Sequence, residues 1–103
     1  MTIDALSYDD FAPHVNTKFR ARLGDAPAME IELIGAEDKS PSARQEQFVL
    51  TFLAPREAPA RQSLFEVEHE HLGGGVIFLV PVAKDERGVS YEAIFNRKIE
   101  AAR

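Results

Sequence analysis

Gly73-Gly74-Gly75-Val76-Ile77-Phe78-Leu79-Val80-Pro81-Val82 holds seven consecutive apolar residues, Val76 to Val82, behind three glycines. A strand with one wet face alternates apolar and polar residues; this one does not, so both faces of the strand it implies need cover. Pro81 has no N–H to give a ladder, which confines it to an edge, a strand end or a bulge. The combination predicts a curved sheet in which this strand is buried between sheet and helix, or against another subunit.

Turn signals bound short strands on either side of this run. Asp85-Glu86-Arg87-Gly88 is a tight turn after it, and residues 89–96 return as a sixth strand. Before it, residues 63–69 alternate, with Phe65, Val67 and His69 facing inward and Glu66, Glu68 and Glu70 outward. The glycines fall in the expected turn between the two strands, over 70–75, so the apolar strand itself is placed at 76–83.

Further out, residues 17–23 alternate cleanly: Phe19, Ala21 and Leu23 on one side, Lys18, Arg20 and Arg22 on the other. Residues 28–35 repeat the pattern with Met29, Ile31 and Leu33 against Glu30 and Glu32. Paired as a hairpin, the two strands set Arg22 opposite Glu30 and Arg20 opposite Glu32, and opposite charges across a ladder help fix its register. Residues 46–53 make another strand, with Phe48, Leu50 and Phe52 inside. At the N-terminus, Ser7 to Phe11 reads as a helix start, with Asp10 reaching back to Ser7 and with Leu6 and Phe11 as a hydrophobic staple. Pro13 limits that helix to about 8–14. Residues 37–45 and 54–61 read as exposed loops, and 97–103 as a charged tail. The expected fold is mainly β: a six-stranded antiparallel bent sheet or small barrel with one short N-terminal helix, forming a single domain over 1–103.

Lys and Arg number 12 against 17 Asp and Glu, a formal net charge of -5. That balance speaks against nucleic acid and anionic membranes as partners, both of which draw on clustered cations. Arg56, Arg61, Arg44 and Lys39, in two loops, are the only basic residues arranged to suggest otherwise. There is no cysteine, so thiol nucleophiles, disulfides and thiolate metal sites are excluded. No basic segment followed by an apolar run opens the chain, and no apolar run approaches the ~20 residues of a membrane helix, so a cytoplasmic location is expected.

Candidate chemistry is sparse. His69-Glu70-His71 places two imidazoles at i and i+2, on one face of a regular strand, where they could share an ion with His14 or a carboxylate such as Glu68. The same spacing suits a His69 that ends a half-buried strand with His71 in a turn, and this reading is preferred. The triple glycine leads into a strand instead of a helix, which is wrong for cradling phosphate. No nucleophile elbow is present, and the carboxylates fall on solvated strand faces. No catalytic residue and no cofactor is therefore expected. What remains is interaction: Val49 and Leu53 with Ile77 and Leu79 form second-face apolar surface that is either an interface or covered by a short helix carrying Leu6, Phe11 and Val15, two readings of equal weight.

Asp10-Phe11-x-Pro13 with Val15 and Phe19, Glu68-His69 followed by Leu72-Gly73, Phe78-Leu79-Val80-Pro81-Val82, and Tyr91-Glu92-Ala93-Ile94-Phe95-Asn96 resemble a family of short bacterial proteins known only as a domain of unknown function. The likeness spans nearly the whole chain. It implies no activity, cofactor or catalytic residue, and a loose association of such proteins with phage-tail-like genes points toward an assembly part. The expectation is a non-enzymatic domain acting through a protein partner or self-association. The alternative is a small-molecule or metal-binding barrel using His69, His71 and Glu68.

Overall fold

Alternation in the sequence becomes alternation of burial in the strands. In the computed structural model, which describes residues 2–99, the strands are β1 (Lys18–Arg22), β2 (Met29–Asp38), β3 (Gln45–Ala54), β4 (Ser63–His69), β5 (Gly73–Asp85) and β6 (Gly88–Lys98). Their order is β1-β2-β3-β6-β5-β4, every neighbour is antiparallel, and β4 pairs back onto β1 to close a barrel. Phe19 and Ala21, Ile31 and Leu33, Phe48, Leu50 and Phe52, Phe65 and Val67, Ile77 and Leu79, and Val89 and Tyr91 fill the interior. Arg97 and Lys98 continue β6 instead of opening a tail, and residues 100–103 lie outside the described residues.

The first hairpin has the expected faces and a different register. Arg20 lies opposite Glu30 and Lys18 opposite Glu32, two residues away from the expected pairing. A shift of two leaves every side chain on its own face, so burial does not oppose it. It frees Arg22, whose partner is Glu66 on β4, while Arg20 faces Glu68 on the same strand. The charged stripe of β1 is thus shared between two neighbours and lines the seam that closes the ring.

The glycine run is strand, not turn. Gly73, Gly74 and Gly75 pair with His69, Glu68 and Val67, and the turn contracts to Glu70–Leu72. Gly75 is required by contact. A Cβ there would stand 2.7 Å from Asp4 Oδ1 and 2.9 Å from Ile3 Cγ2, in the 3-10 turn Ile3–Ala5 that packs on β5. Gly88 opens β6 with φ 146, and a Cβ on it would run into the Ala54 carbonyl oxygen.

The expectation that β5 is covered on both faces does not hold within one chain. Ile77 and Leu79 are inside, whereas Val76, Phe78 and Val82 are exposed. The reason is the ring itself: a single closed layer fills its interior, and among the described residues no second layer is stacked on the outside of β5. The N-terminal segment does not cover the outer face either. After the 3-10 turn come α1 (Tyr8–Phe11) and a second 3-10 turn, Ala12–His14, with Pro13 near its start, where a missing N–H costs little. Asp10 accepts from the Ser7 N–H at 2.9 Å, as the capping reading requires. Phe11 then plugs the barrel end, 6.0 Å from the Phe48 ring and 5.6 Å from Phe95, which themselves stack at 4.5 Å. Phe95 and Phe48 also lie under the Arg97 guanidinium, which is held by Glu46 at 3.3 Å and donates to the Leu6 carbonyl. Glu46 in turn accepts from the Tyr8 N–H at 2.9 Å.

Replacing Gly75 by Ala should lower stability by about 1–3 kcal/mol, because the added methyl meets the N-terminal turn. For a domain of this size that is a drop of several degrees in the thermal midpoint. Gly74→Ala, where a Cβ meets nothing nearer than 3.4 Å, serves as the control. Equal midpoints for the two variants would contradict the close approach.

Candidate functional site

Two surfaces outside the core carry features of interest: the outer face of β4, β5 and β6, and a histidine cluster at the barrel end near the β4–β5 turn. The outer face follows from parity. Odd-numbered residues of β4 point inward, and the pairing of His69 with Gly73 carries odd-in, even-out across the turn into β5. Leu64 therefore stands opposite Phe78 on the outside, with exposures of 60% and 48%. Val76 lies two residues along. On β6, Ile94 is 61% exposed and opposite Val49 of β3.

Of the four residues expected to form an apolar interface, Ile77 and Leu79 are core residues and cannot contribute to one. Val49 and Leu53 do face outward, half-buried, with Leu53 opposite Ser90 and Glu32. The residues that replace Ile77 and Leu79 are Val76 and Phe78. An uninterrupted apolar run carries no phase of its own; the phase was readable one strand earlier, in the clean alternation of β4.

The histidines converge from three segments. His69 ends β4 facing inward, 8% exposed, with its ring 4.3 Å from that of Phe19. His14 comes from the second 3-10 turn and His71 from the β4–β5 turn, with ring centroids 4.8 Å and 5.8 Å from that of His69. Both nitrogens of His69 are engaged. The His71 N–H donates to Nδ1 at 3.0 Å, so Nδ1 is unprotonated and the proton is on Nε2. The Thr17 hydroxyl donates to the His14 carbonyl at 2.6 Å and thus accepts from Nε2–H at 3.0 Å. Burial, then the neighbouring His14 and His71, push the His69 pKa below its ordinary value, against a weaker opposing effect of Glu70.

This accounting separates the proposed ligands. Glu68 points to the outside, across from Arg20 at 3.8 Å, on the opposite face from His69. The His71 ring is exposed, with Nε2 3.0 Å from Glu70. His69 has no free lone pair, and among the described residues no group of three His, Cys, Asp or Glu side chains is placed to hold a metal ion. Thr17, which joins His14 to His69, had no signal in the sequence, because the contact spans 52 positions.

The remaining features do not converge either. Lys39 and Arg44 lie in the β2–β3 loop and Arg56 and Arg61 in the β3–β4 loop, at opposite ends of β3, whose ten residues separate them by roughly 30 Å. The groove beside the first hairpin is lined by Arg20, Arg22, Glu66 and Glu68, whose charges pair with one another. Tyr91 is buried, its pKa raised by that burial, and its hydroxyl donates to the Pro59 carbonyl. No described helix is long and apolar enough to cross a membrane.

Residues 6–95 match the family model described as Domain of unknown function (DUF6916), and the chain belongs to that family. No curated protein matches the chain. No solved structure matches it.

Because His69 Nδ1 already accepts from a backbone N–H, micromolar zinc should leave the thermal midpoint of the protein unchanged. A saturable rise of the midpoint with zinc, lost in His71→Ala, would show that the cluster rearranges to bind the ion.

Proposed function

We propose that this member of the family is a non-enzymatic protein–protein interaction or assembly domain that docks through the outer face of β4, β5 and β6. The observation that supports the reading is the set of large apolar side chains on that face, Leu64, Val76, Phe78 and Ile94, bare in a single chain. Exposed apolar patches beyond a few hundred Å² are uncommon on monomers and mark interaction sites. Val80, Val49 and Leu53, half-buried, extend the same surface.

Two of the one-sided strand edges are blunted against an added strand, while β5 over 73–79 and β6 over 93–98 are one-sided as well. β2 beyond Leu33 and β5 beyond Leu79 each have a ladder partner on one side only. Both carry irregularities, between Leu33 and Gly35 and between Pro81 and Ala83, and β5 adds Pro81 and Lys84. Proline, lysine and bulges are devices that blunt an edge against pairing. The setting we infer, a bacterial and phage-tail-like assembly, rests on the resemblance of the sequence motifs alone.

Phe78 is outside the core, so Phe78→Glu should leave the fold and its thermal midpoint within about 0.5 kcal/mol of the parent. Light scattering should show concentration-dependent self-association, or a co-purified partner, for the parent and neither for Phe78→Glu. A parent that stays strictly monomeric and co-purifies with nothing contradicts the proposal.

A further inference from the structure

The histidine cluster is not absorbed by an interaction role, and its hydrogen bonds form a chain across three separate pieces of the fold. The His71 N–H donates to His69 Nδ1, His69 Nε2–H to Thr17 Oγ1, and the Thr17 hydroxyl to the His14 carbonyl. The imidazole thereby joins the β4–β5 turn to the start of β1, which Thr17 ties to the N-terminal helical segment by its hydroxyl and its backbone N–H. We propose that His69 and the His71 amide form an acid-opened latch on the β4–β5 turn, anchored through Thr17 to the N-terminal segment, closed while His69 is neutral and released when that imidazole takes up a second proton.

The geometry leaves one place for that proton. Nε2 already carries hydrogen, so the proton must arrive at Nδ1, where the His71 N–H is directed at 3.0 Å. Two donors then face each other, and the amide has to withdraw, taking the Glu70–Leu72 turn with it. The charge also appears 4.8 Å and 5.8 Å from two further imidazoles, measured between ring centroids. From the remaining neighbours little compensates it. Phe19 offers an apolar ring, Gly73 has no side chain, and Thr17 is neutral. Lys18 and Arg20 on β1 are directed outward to Glu30, Glu32 and Glu68. Among the described residues Glu70 is the one carboxylate that favours the charged ring, and it is engaged with His71 Nε2 at 3.0 Å.

The direction with pH follows. The closed latch holds His69 below its ordinary value of 6.5, so its contribution is complete above about pH 6.5 and is lost as pH falls through the depressed value. Opening frees the His71 amide and the Glu70–Leu72 turn, while the Nε2–H bond to Thr17 and the backbone bonds of Asn16 and Thr17 to Leu33 and His14 stay closed.

Long-range ¹H–¹⁵N spectra of the parent protein test this without a substitution. At pH 7.5 His69 should be the Nε2–H tautomer and should titrate below 6.5. As it titrates, the amide protection at His71 should be lost, while Asn16 and Thr17, whose amides bond to the Leu33 and His14 carbonyls, should keep theirs. The Phe52 amide should hold its protection over the same range. His69→Gln, which does not titrate, should abolish the pH dependence at the His71 amide. A His69 carrying its proton on Nδ1, titrating at or above 6.5, or titrating with no change at the His71 amide would overturn the latch.

Discussion

The seam between β1 and β4 is the constraint on which the architecture rests. Three residue pairs make it: Arg20 with Glu68, Ala21 with Val67, and Arg22 with Glu66. Ala21 and Val67 face the interior, while the outer positions carry complementary charge. Without this seam the sheet would be an open six-stranded ribbon with two edges, free to flatten and to bury either side of β5. With it, there is one inside and one outside, and every strand must commit its faces. The exposed ion pairs add little energy individually. Their value is in register, since a slip by one residue would bring arginines into a core of phenylalanines.

Closure of a small ring leaves its ends to be stopped. At one end, the long β3–β6 pair runs past the ring, and its inner face carries Phe48 and Phe95, which α1 covers with Phe11. Arg97 and Glu46 fix that lid by binding backbone at Leu6 and Tyr8, so charge is used there to position a segment and not to react. The same segment continues to His14 and the histidine chain. The N-terminal twenty residues are therefore tied to the barrel at both the aromatic stack and the imidazole cluster. Gly75 allows a third contact, with Ile3 and Asp4.

Much of this was legible in the residues. Strict alternation in 17–23, 28–35 and 63–69 predicted the faces of β1, β2 and β4, and Ser7-x-x-Asp10 with Pro13 predicted a short, capped helix. The preference for His69 ending a half-buried strand with His71 in a turn agrees with the geometry. Three things were not legible. The hairpin register differed by two, because such a shift exchanges one acid for another and preserves burial. The glycines were read as a turn, because the contact that demands Gly75 comes from residues some seventy positions away. The phase of 76–82 was lost in a uniform apolar run, which misassigned the candidate interface to Ile77 and Leu79 when Val76 and Phe78 are the outward residues. For the register and the glycines the deciding partner is distant in sequence; for the phase it is the neighbouring strand β4, across the Glu70–Leu72 turn.

The central claim is that ring closure sets the phase of β5, sending Ile77 and Leu79 inward and leaving Val76 and Phe78 bare. Because the chain has no cysteine, single Ile77→Cys and Phe78→Cys variants report this directly through thiol labelling in dilute native solution. The account predicts that the thiol at 78 reacts at close to the rate of an unfolded control, while the thiol at 77 reacts slower by orders of magnitude until the protein is unfolded. Equal rates, or protection at 78 with reactivity at 77, would contradict it.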